Sequence, residues 1–503
     1  MKYYLFMLRV FRYAPSPTGR IHLGQLKAAL FPYILAKKNK GKFILRIEDT
    51  DNKRNQENAV KMLIEDLNWL GIEYDLGPDS GDTKNSYFQS QRQEIYKKHI
   101  EELQKKNLVY KAYDTPEERA EQIKIQRTKG QSSVYSGNHA NLTEEEIKKF
   151  EEEGRKPVLR LRVPKNEIIE FNDKIFGNVK VNTNQIGDIV IQKSDGTPMY
   201  NFCVVVDDHE MGVTDVIRGF GHLSNTAKQV LLYKIFNWEV PVFAHFSDIQ
   251  NENQPGKLSK RYGAKSISQF RAEGYLPDAL INYVVSISCS FHFSTKEDEI
   301  MTKEEIINAI EYDKILKTNA KFNTKKLDWF NGKHIRRLSD AEYLSQAMKW
   351  LKHEAKNLSD FYSNFDISII DKFLTDTEKL NSGLLLVKER ITKFSEIFSY
   401  LDFLFENNDS KPLDISPAKH TSEEFEIARM NLYNTIISLE RPWSHSDWEA
   451  KIRKTADSIG WKHADLFMAL RLLIVKSPFS PPLFESMEIL GFDECLKRIK
   501  GNS

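Results

Sequence analysis

Tyr13 to Gly24 reads Y-A-P-S-P-T-G-R-I-H-L-G. Pro15 and Pro17 fix the backbone φ and bar a helix through the stretch. Gly19 supplies a turn that other residues make less readily. The apolar run Tyr3 to Phe11, broken by Arg9, leads into it and reads as the first buried parallel strand. After Gly24, the residues Leu26, Ala29, Leu30, Tyr33 and Ile34 recur at helical spacing. The local order is strand, stiff turn, helix. The turn presents His22 beside a helix N-terminus, where N–H groups and the dipole suit a phosphate. Taken alone, such a turn serves equally well as a plain strand-to-helix connection with a surface histidine, because short motifs match by chance.

A second stretch changes that balance. Lys257 to Arg261 reads K-L-S-K-R, preceded by Pro255-Gly256 and followed by Gly263. Alone it is a charge run, which is usually a solvated face. Between the two lie L-R-I-E-D-T-D at Leu45 to Asp51, Y-N-F-C-V-V-V-D-D at Tyr200 to Asp208, V-I-R-G at Val216 to Gly219, and G-Y-L-P-D-A-L-I-N-Y at Gly274 to Tyr283. In this order and combination the chain resembles a class I aminoacyl-tRNA synthetase, specifically a bacterial-type glutamyl-tRNA synthetase. The resemblance is dense from Phe11 to about Arg336 and thins to scattered apolar positions beyond.

Composition sets bounds. At 503 residues the chain should hold three or more domains, since one core rarely outgrows ~250–300 residues. A hydrophobic content of 40% and a charged content of 29% fit a soluble globular protein. The net charge of +2 does not announce a nucleic-acid binder, so a tRNA-binding field must come from local lysine clusters. Cys203, Cys289 and Cys495 stand far apart and form no metal or redox spacing, which suits a reducing, cytoplasmic setting. No apolar run approaches the ~20 residues of a membrane span. The opening segment is too short, and too soon interrupted by Arg9, for a secretory signal. Translation starts at Met1 or at Met7.

The expected fold is α/β: a class I, Rossmann-like, doubly wound parallel sheet with an inserted α/β domain, followed by an all-α region. Phe43 to Ile47 is read as a strand whose end carries Glu48, Asp49 and Asp51, where open α/β sheets bind ligands. Asn58 to Leu70 is read as an amphipathic helix ended by Gly71. Further helices are read at Gln91–Lys106, Pro116–Arg127 and Leu142–Glu153, and a strand at Val158–Val163. Asp195-Gly196 is read as a turn between two strands, Ile189–Gln192 and Met199–Val206. Val213–Ile217 is read as a strand and Thr226–Phe236 as a helix. From Thr302 helical spacing dominates, at Glu304–Ile310, Ala341–Lys352, Asp371–Glu378, Leu384–Phe405, Glu423–Leu439, Ser446–Ile459 and Ala464–Val475, closing with Pro482–Leu490 and Glu494–Ile499. No hairpin signals appear there. With the resemblance, residues 1–109 and 191–250 are the two halves of the catalytic domain. Residues 110–190 are an inserted acceptor-stem-binding domain, 251–330 a stem-contact region with the K-L-S-K-R loop, and 331–503 a helical anticodon-binding region.

The resemblance implies ATP-dependent ligation of L-glutamate to tRNA-Glu through a glutamyl-adenylate, with Mg2+ accompanying ATP, in a monomer without membrane contact. Activation is attack of a carboxylate on the α-phosphate of ATP and needs no protein nucleophile, only positioning and charge neutralisation. It implies ATP contacts from Ala14, Pro15, Ser16, Pro17, Thr18, Gly19, His22 and Gly24, and from Lys257, Leu258, Ser259, Lys260 and Arg261. His22, Lys257, Ser259 and Lys260 are the catalytic candidates. For glutamate, Glu48 suits the α-ammonium, and Arg12 and Arg218 suit the side-chain carboxylate, which a guanidinium reads through two parallel bonds. The alternative for each arginine is a structural ion pair. Ser16 and Tyr200 complete the pocket by resemblance.

Two departures stand out. Many relatives hold zinc through Cys-x-Cys and a later Cys-x-His. The matching stretches here, Lys111 to Thr115 and Tyr135 to Asn141, contain no cysteine and offer only Asp114 and His139, so no structural zinc is expected. Where relatives have two acidic residues after V-I-R-G, this chain has Phe220 and Gly221 before His222. Gln25 stands where the histidine motif often ends in a second His. Other readings fare worse. A truncated paralogue acting on tRNA-Asp lacks the helical cage. A glutaminyl enzyme has P-P-E-P-N-G in the turn. A catalytically silent paralogue should have lost His22, Lys260 or the arginines. Enzymes of this family either charge tRNA-Glu alone or also tRNA-Gln, and the many C-terminal arginines, among them Arg390, Arg429 and Arg441, favour the discriminating type.

Overall fold

The computed structural model describes residues 8–50, 58–82, 85–130, 133–252, 256–258, 264–405, 420–438, 445–478 and 480–500. The chain forms two compact units, one of Met1–Ile267 and Ile281–Asn323, the other of Ser268–Leu280 and Thr324–Ser503.

The first unit opens with β1 (Val10–Tyr13), α1 (Leu23–Lys38), β2 (Lys42–Leu45), α2 (Ala59–Trp69) and α3 (Gln93–Lys105). Then come β3 (Val109–Ala112), α4 (Pro116–Thr128), α5 (Glu144–Glu152), β4 (Val158–Leu161), β5 (Ile168–Asp173), β6 (Gly177–Asn182) and β7 (Val190–Gln192). They are followed by α6 (Tyr200–Glu210), β8 (Asp215–Gly219), α7 (Leu223–Phe236), β9 (Val242–Phe246) and β10 (Ile249–Gln250). Next in the chain come α8 (Ile267–Ala272), which belongs to the second unit from Ser268 on, and α9 (Pro277–Ser288), which belongs to the first unit from Ile281 on; α10 (Lys303–Ala309) and β11 (Ala320–Lys321) complete the first unit.

The central sheet is parallel throughout, in the order β2-β1-β8-β9. A parallel sheet is covered on both faces, so its strands carry near-continuous apolar runs; Phe11, Tyr13, Phe43, Ile44, Leu45, Val216 and Ile217 are all buried. Helix α1 is itself buried almost all round, through Leu23, Leu26, Ala29, Leu30, Phe31, Tyr33 and Ile34. Gly71 ends α2 at φ +63°, a conformation glycine takes without a Cβ penalty.

Two expectations in this unit need correction. Among the described residues the first strand is Val10–Tyr13, so it runs on past the expected end at Phe11; residues 1–7 lie outside the described residues. Its parallel register starts at Val10 opposite Lys42, so Arg12 belongs to the strand. Met199–Val206 is not a strand. The Asp195-Gly196 turn does close, with Lys193 N–H donating to the Thr197 carbonyl at 2.8 Å, but the chain then coils into α6. Phe202 to Val206 are buried on every side, and an apolar run without a polar face cannot be told from a buried strand by periodicity.

Between α3 and α6 the chain forms an antiparallel sheet β3-β4-β7 and a separate hairpin, β5-β6, paired from Ile168–Asn182 to Asp173–Gly177. The second unit is helical. It holds α11 (Thr324–Arg337), α12 (Asp340–His353), α13 (Ser368–Leu374), α14 (Thr377–Val387), α15 (Glu396–Phe405), α16 (Ser422–Ile437), α17 (His445–Ser458), α18 (His463–Val475), α19 (Leu483–Leu490) and α20 (Phe492–Lys500). Trp350, Leu384, Phe398, Leu432, Trp448 and Leu470 share one core. Two helices expected to be continuous are broken by caps. Asp376 accepts from Lys379 N–H at 3.0 Å and starts α14. Thr392 is held by Glu396 through its N–H at 2.7 Å and its hydroxyl at 2.8 Å, which starts α15 afresh.

Candidate active site

The strand-turn-helix of β1 and α1 builds one wall. Gly19 adopts φ +99°. Asp66 on α2 clamps the turn, accepting from Ile21 N–H at 2.9 Å and Arg20 Nη1 at 3.3 Å. His22 is the N-cap residue of α1, extended at φ −102°. Gln25 turns its Oε1 back to accept from His22 N–H at 3.2 Å, so this position closes the helix N-terminus. Pro15 and Pro17 are buried, and Ser16 is exposed between them.

The positive loop meets the same wall. Lys257 bridges Gln250, and Leu258 N–H donates to the Ile249 carbonyl at 2.7 Å. A Cβ added to Gly24 would stand 3.0 Å from the Leu258 carbonyl oxygen and 3.0 Å from His22 Cε1. On leaving the loop the chain pairs again with the turn: Ser266 bridges His22, and Ile267 N–H donates to the Ile21 carbonyl at 2.8 Å. Both flanks of the K-L-S-K-R motif therefore lie against His22 and Gly24. Ser259, Lys260 and Arg261 lie outside the described residues. The Lys257 ammonium pairs with Asp248 at 2.8 Å.

Charged groups gather at the carboxyl ends of β1, β2 and β8. Glu48 is drawn to the turn by its N–H, which donates to the Pro15 carbonyl at 2.9 Å. Arg46, fully buried, donates Nη1 to Asp208 at 2.6 Å and Nη2 to Glu48 at 3.4 Å. Arg12 donates Nε to both Asp208 oxygens, at 3.2 and 3.4 Å. Burial first, opposed by Arg46 and Arg12, pushes the Glu48 carboxyl up to about 7. The Tyr200 hydroxyl, at the start of α6, lies 3.2 Å from His222 Nδ1, and burial together with Glu48 raises it to about 12. His222 is held down at about 4 by burial and then by Arg218 and Arg12, so its ring is neutral.

The two arginines are treated differently. Arg12 has the direct carboxylate partner Asp208, so the ion-pair alternative holds for its Nε edge. Arg218 has none among the described residues. Its Nη2 donates to Thr226 Oγ1 at 2.7 Å and Gln229 Oε1 at 2.6 Å, and its Nε to His245 Nε2 at 3.3 Å. All three acceptors are neutral. Burial, and then Arg12, disfavours its charged form. Tyr200, Asp208 and Glu48 act the other way, from beyond hydrogen-bonding distance.

The structure thus brings together Arg12, Pro15, His22, Gly24, Glu48, Tyr200, Arg218 and Leu258. The sequence reading missed Arg46, Asp208, His222 and the Asp173–His245 pair; the adjacent acids Asp207-Asp208, ending an apolar run, were the available signal. Phe220, 44% exposed, rests its ring on Phe176 at 4.8 Å between centroids. Among the described residues no three metal-ligating side chains cluster.

The family of tRNA synthetases class I (E and Q), catalytic domain, matches residues 8–329, and the anticodon binding domain family matches 367–502. A glutamate–tRNA ligase of Bacillus licheniformis is 36% identical over 97% of this chain and 98% of its own length, and that of Bacillus pumilus is 37% identical with the same coverage. A crystal structure of a glutamate tRNA ligase from Elizabethkingia meningosepticum in complex with its amino acid superposes with a TM-score of 0.83 at 33% identity, covering 98% of each chain. The Elizabethkingia anophelis glutamate-tRNA synthetase superposes at 0.80, also at 33% identity, covering 98% of this chain and 99% of the other.

Proposed function

The chain belongs to the class I tRNA synthetases of the glutamate and glutamine type, and we propose how its residues carry out the ATP-dependent ligation of glutamate to its tRNA. A glutamate carboxylate oxygen attacks the α-phosphorus of ATP, the bond to the β-phosphate breaks, and pyrophosphate leaves. A ribose hydroxyl at the tRNA 3′ end then attacks the adenylate carbonyl and AMP departs. Such chemistry asks the protein for alignment and for charge opposite the phosphates. His22 and the N-terminus of α1 serve one side of the triphosphate, and Lys257, Ser259 and Lys260 the other. Ala14 to Gly19, Gly24, Leu258 and Arg261 shape the ATP crevice. Mg2+ bound with the triphosphate would offset part of its charge; among the described residues no three metal-ligating side chains cluster.

The observation that carries the amino-acid assignment is Arg218, buried and without a carboxylate partner among the described residues. It meets the glutamate side-chain carboxylate. Glu48 holds the α-ammonium, Ser16 and Tyr200 line the pocket, and the outer edge of Arg12 faces the same anion. The enzyme works as a cytoplasmic monomer; among the described residues no helix is long and apolar enough to cross a membrane.

For tRNA, a guanidinium reading a base edge discriminates by ~1–3 kcal/mol. Arg429 is engaged by Glu426 at 2.8 Å and the Ile499 carbonyl at 3.0 Å, and Arg441 lies outside the described residues. No single arginine is assigned as the reader; the number of arginines in the helical region favours a discriminating enzyme. The test is charging of tRNA-Glu and tRNA-Gln transcripts at matched salt, since phosphate contacts make affinity salt-dependent. Charging of tRNA-Glu alone supports the proposal. Comparable kcat/KM on tRNA-Gln overturns the discriminating reading, and no charging of either overturns the function.

A further inference from the structure

Arg218 is oriented by a line of buried groups that ends on the inserted hairpin. Asp173, the last residue of β5, is 1% exposed, and His245 in β9 is 0% exposed. Asp173 Oδ1 accepts from Ile175 N–H at 3.0 Å and Phe176 N–H at 2.8 Å, which fixes the carboxylate within its own turn. Its Oδ2 lies 2.6 Å from His245 Nδ1. A carboxylate there requires the proton on Nδ1, which leaves Nε2 as an acceptor. Arg218 Nε donates to that nitrogen at 3.3 Å, and Thr226 Oγ1 lies 2.9 Å from it. On the other edge Gln229 Oε1 accepts from Arg218 while its Nε2 donates to Asn201 Oδ1 at 3.0 Å, which sets which end of the amide faces the arginine.

The contrast with Arg12 shows what the line achieves. Arg12 contacts Asp208 directly and shares its charge there. Arg218 is aligned just as firmly, yet the compensating carboxylate stands one imidazole away, so the guanidinium keeps its attraction for an incoming anion. Burial, against the bond to Asp173, keeps His245 below its ordinary value. For Asp173, burial acts upward but the bonds from His245 and the turn N–H groups outweigh it, and the net shift is downward. Both directions fit a neutral ring between an anion and a cation.

We propose that Asp173 and His245 are positioning residues that hold Arg218 in the one orientation able to receive the glutamate carboxylate. This rests on the reading of Arg218 as a glutamate contact. His245→Asn keeps a donor for Asp173 and removes the acceptor for Arg218, whereas His245→Gln places a carbonyl oxygen near the Nε2 position. Steady-state charging of tRNA-Glu, with glutamate and then ATP varied, is measured for both, for Asp173→Asn and for Arg218→Ala, with thermal unfolding as the folding control. Loss of one hydrogen bond to a charged group is expected to raise the glutamate KM about 10-fold in His245→Asn, with the ATP KM changed by less than about 2-fold. His245→Gln should recover most of the loss, and Asp173→Asn should raise the glutamate KM in the same direction. If His245→Asn does not fold, Asp173→Asn decides. An unchanged glutamate KM in the folded variants, equal rises for glutamate and ATP, or no recovery in His245→Gln overturns the positioning role. If Arg218→Ala itself leaves the glutamate KM unchanged, the reading of Arg218 falls instead.

Discussion

The Leu258 carbonyl oxygen lies 3.0 Å from the point where a β-carbon on Gly24 would stand, so the turn ending at Gly24 and the lysine loop are packed backbone to backbone. A Cβ there forces the neighbouring backbone to give by a few tenths of an ångström. Gly24→Ala is expected to displace the loop and lower kcat by about 10-fold, the scale of a small misplacement at a reacting centre, with thermal unfolding nearly unchanged. An unaltered kcat means that the close approach has no part in catalysis.

Arg218 and Arg12 predict different losses. Removing Arg218 deletes a cation that no described carboxylate contacts directly, so Arg218→Ala should lose glutamate far more than glutamine, whose amide turns an N–H toward guanidinium donors. Mismatched buried donors cost about 1–3 kcal/mol each. Kinetics with both amino acids read this directly. Equal losses mark Arg218 as structural.

Glu48 gives a pH test with two signs. Burial holds its carboxyl up at about 7 against an ordinary 4.5. The folded state therefore binds this proton more tightly than the unfolded chain does. The stabilisation is complete below about 4.5 and is lost as pH rises through about 7. Binding of an α-ammonium needs the ionised form, so the glutamate KM should fall about 10-fold between about pH 6 and pH 8, and Glu48→Gln should be weak and flat across that range. A slope that survives in Glu48→Gln assigns it to another group.

Asp114, expected to hold no structural zinc, is engaged by neighbouring side chains. It accepts from the Tyr135 hydroxyl and from Gln122 Nε2 at 2.9 Å, while His139 Nδ1 accepts from Tyr113 N–H at 2.9 Å. Tyr113 stacks on Phe150 at 5.5 Å, and Arg155 caps that ring at 4.8 Å. Elemental analysis should find no stoichiometric zinc, and Asp114→Ala should cost about 1–3 kcal/mol by stranding its partners. One equivalent of zinc whose removal lowers Tm contradicts this.

Much of this site was legible because its chemistry is local. Pro15, Pro17 and Gly19 dictate a turn, and His22 marks the start of the helix behind it. What escaped is what only packing decides. Phe202 to Val206 carry no polar face, so their periodicity is silent between helix and strand. Thr392 and Glu396 read as one more helical turn until their mutual bond shows a cap. Asp173 and His245 lie 72 positions apart in the chain, and nothing in either neighbourhood announces that both belong to Arg218. Asp208 was quoted within a motif, but its pairing with Arg12 and Arg46 needs the sheet.

The most direct test of the central claim is glutamate-dependent ATP–pyrophosphate exchange, measured with tRNA-Glu for the native chain and for Lys260→Ala. Exchange should require both glutamate and tRNA. In Lys260→Ala, kcat should fall by roughly 10² with little change in the glutamate KM, the signature of a donor that acts on the transition state. Exchange supported equally by glutamine, absence of exchange in the native chain, or a Lys260→Ala effect confined to KM contradicts it.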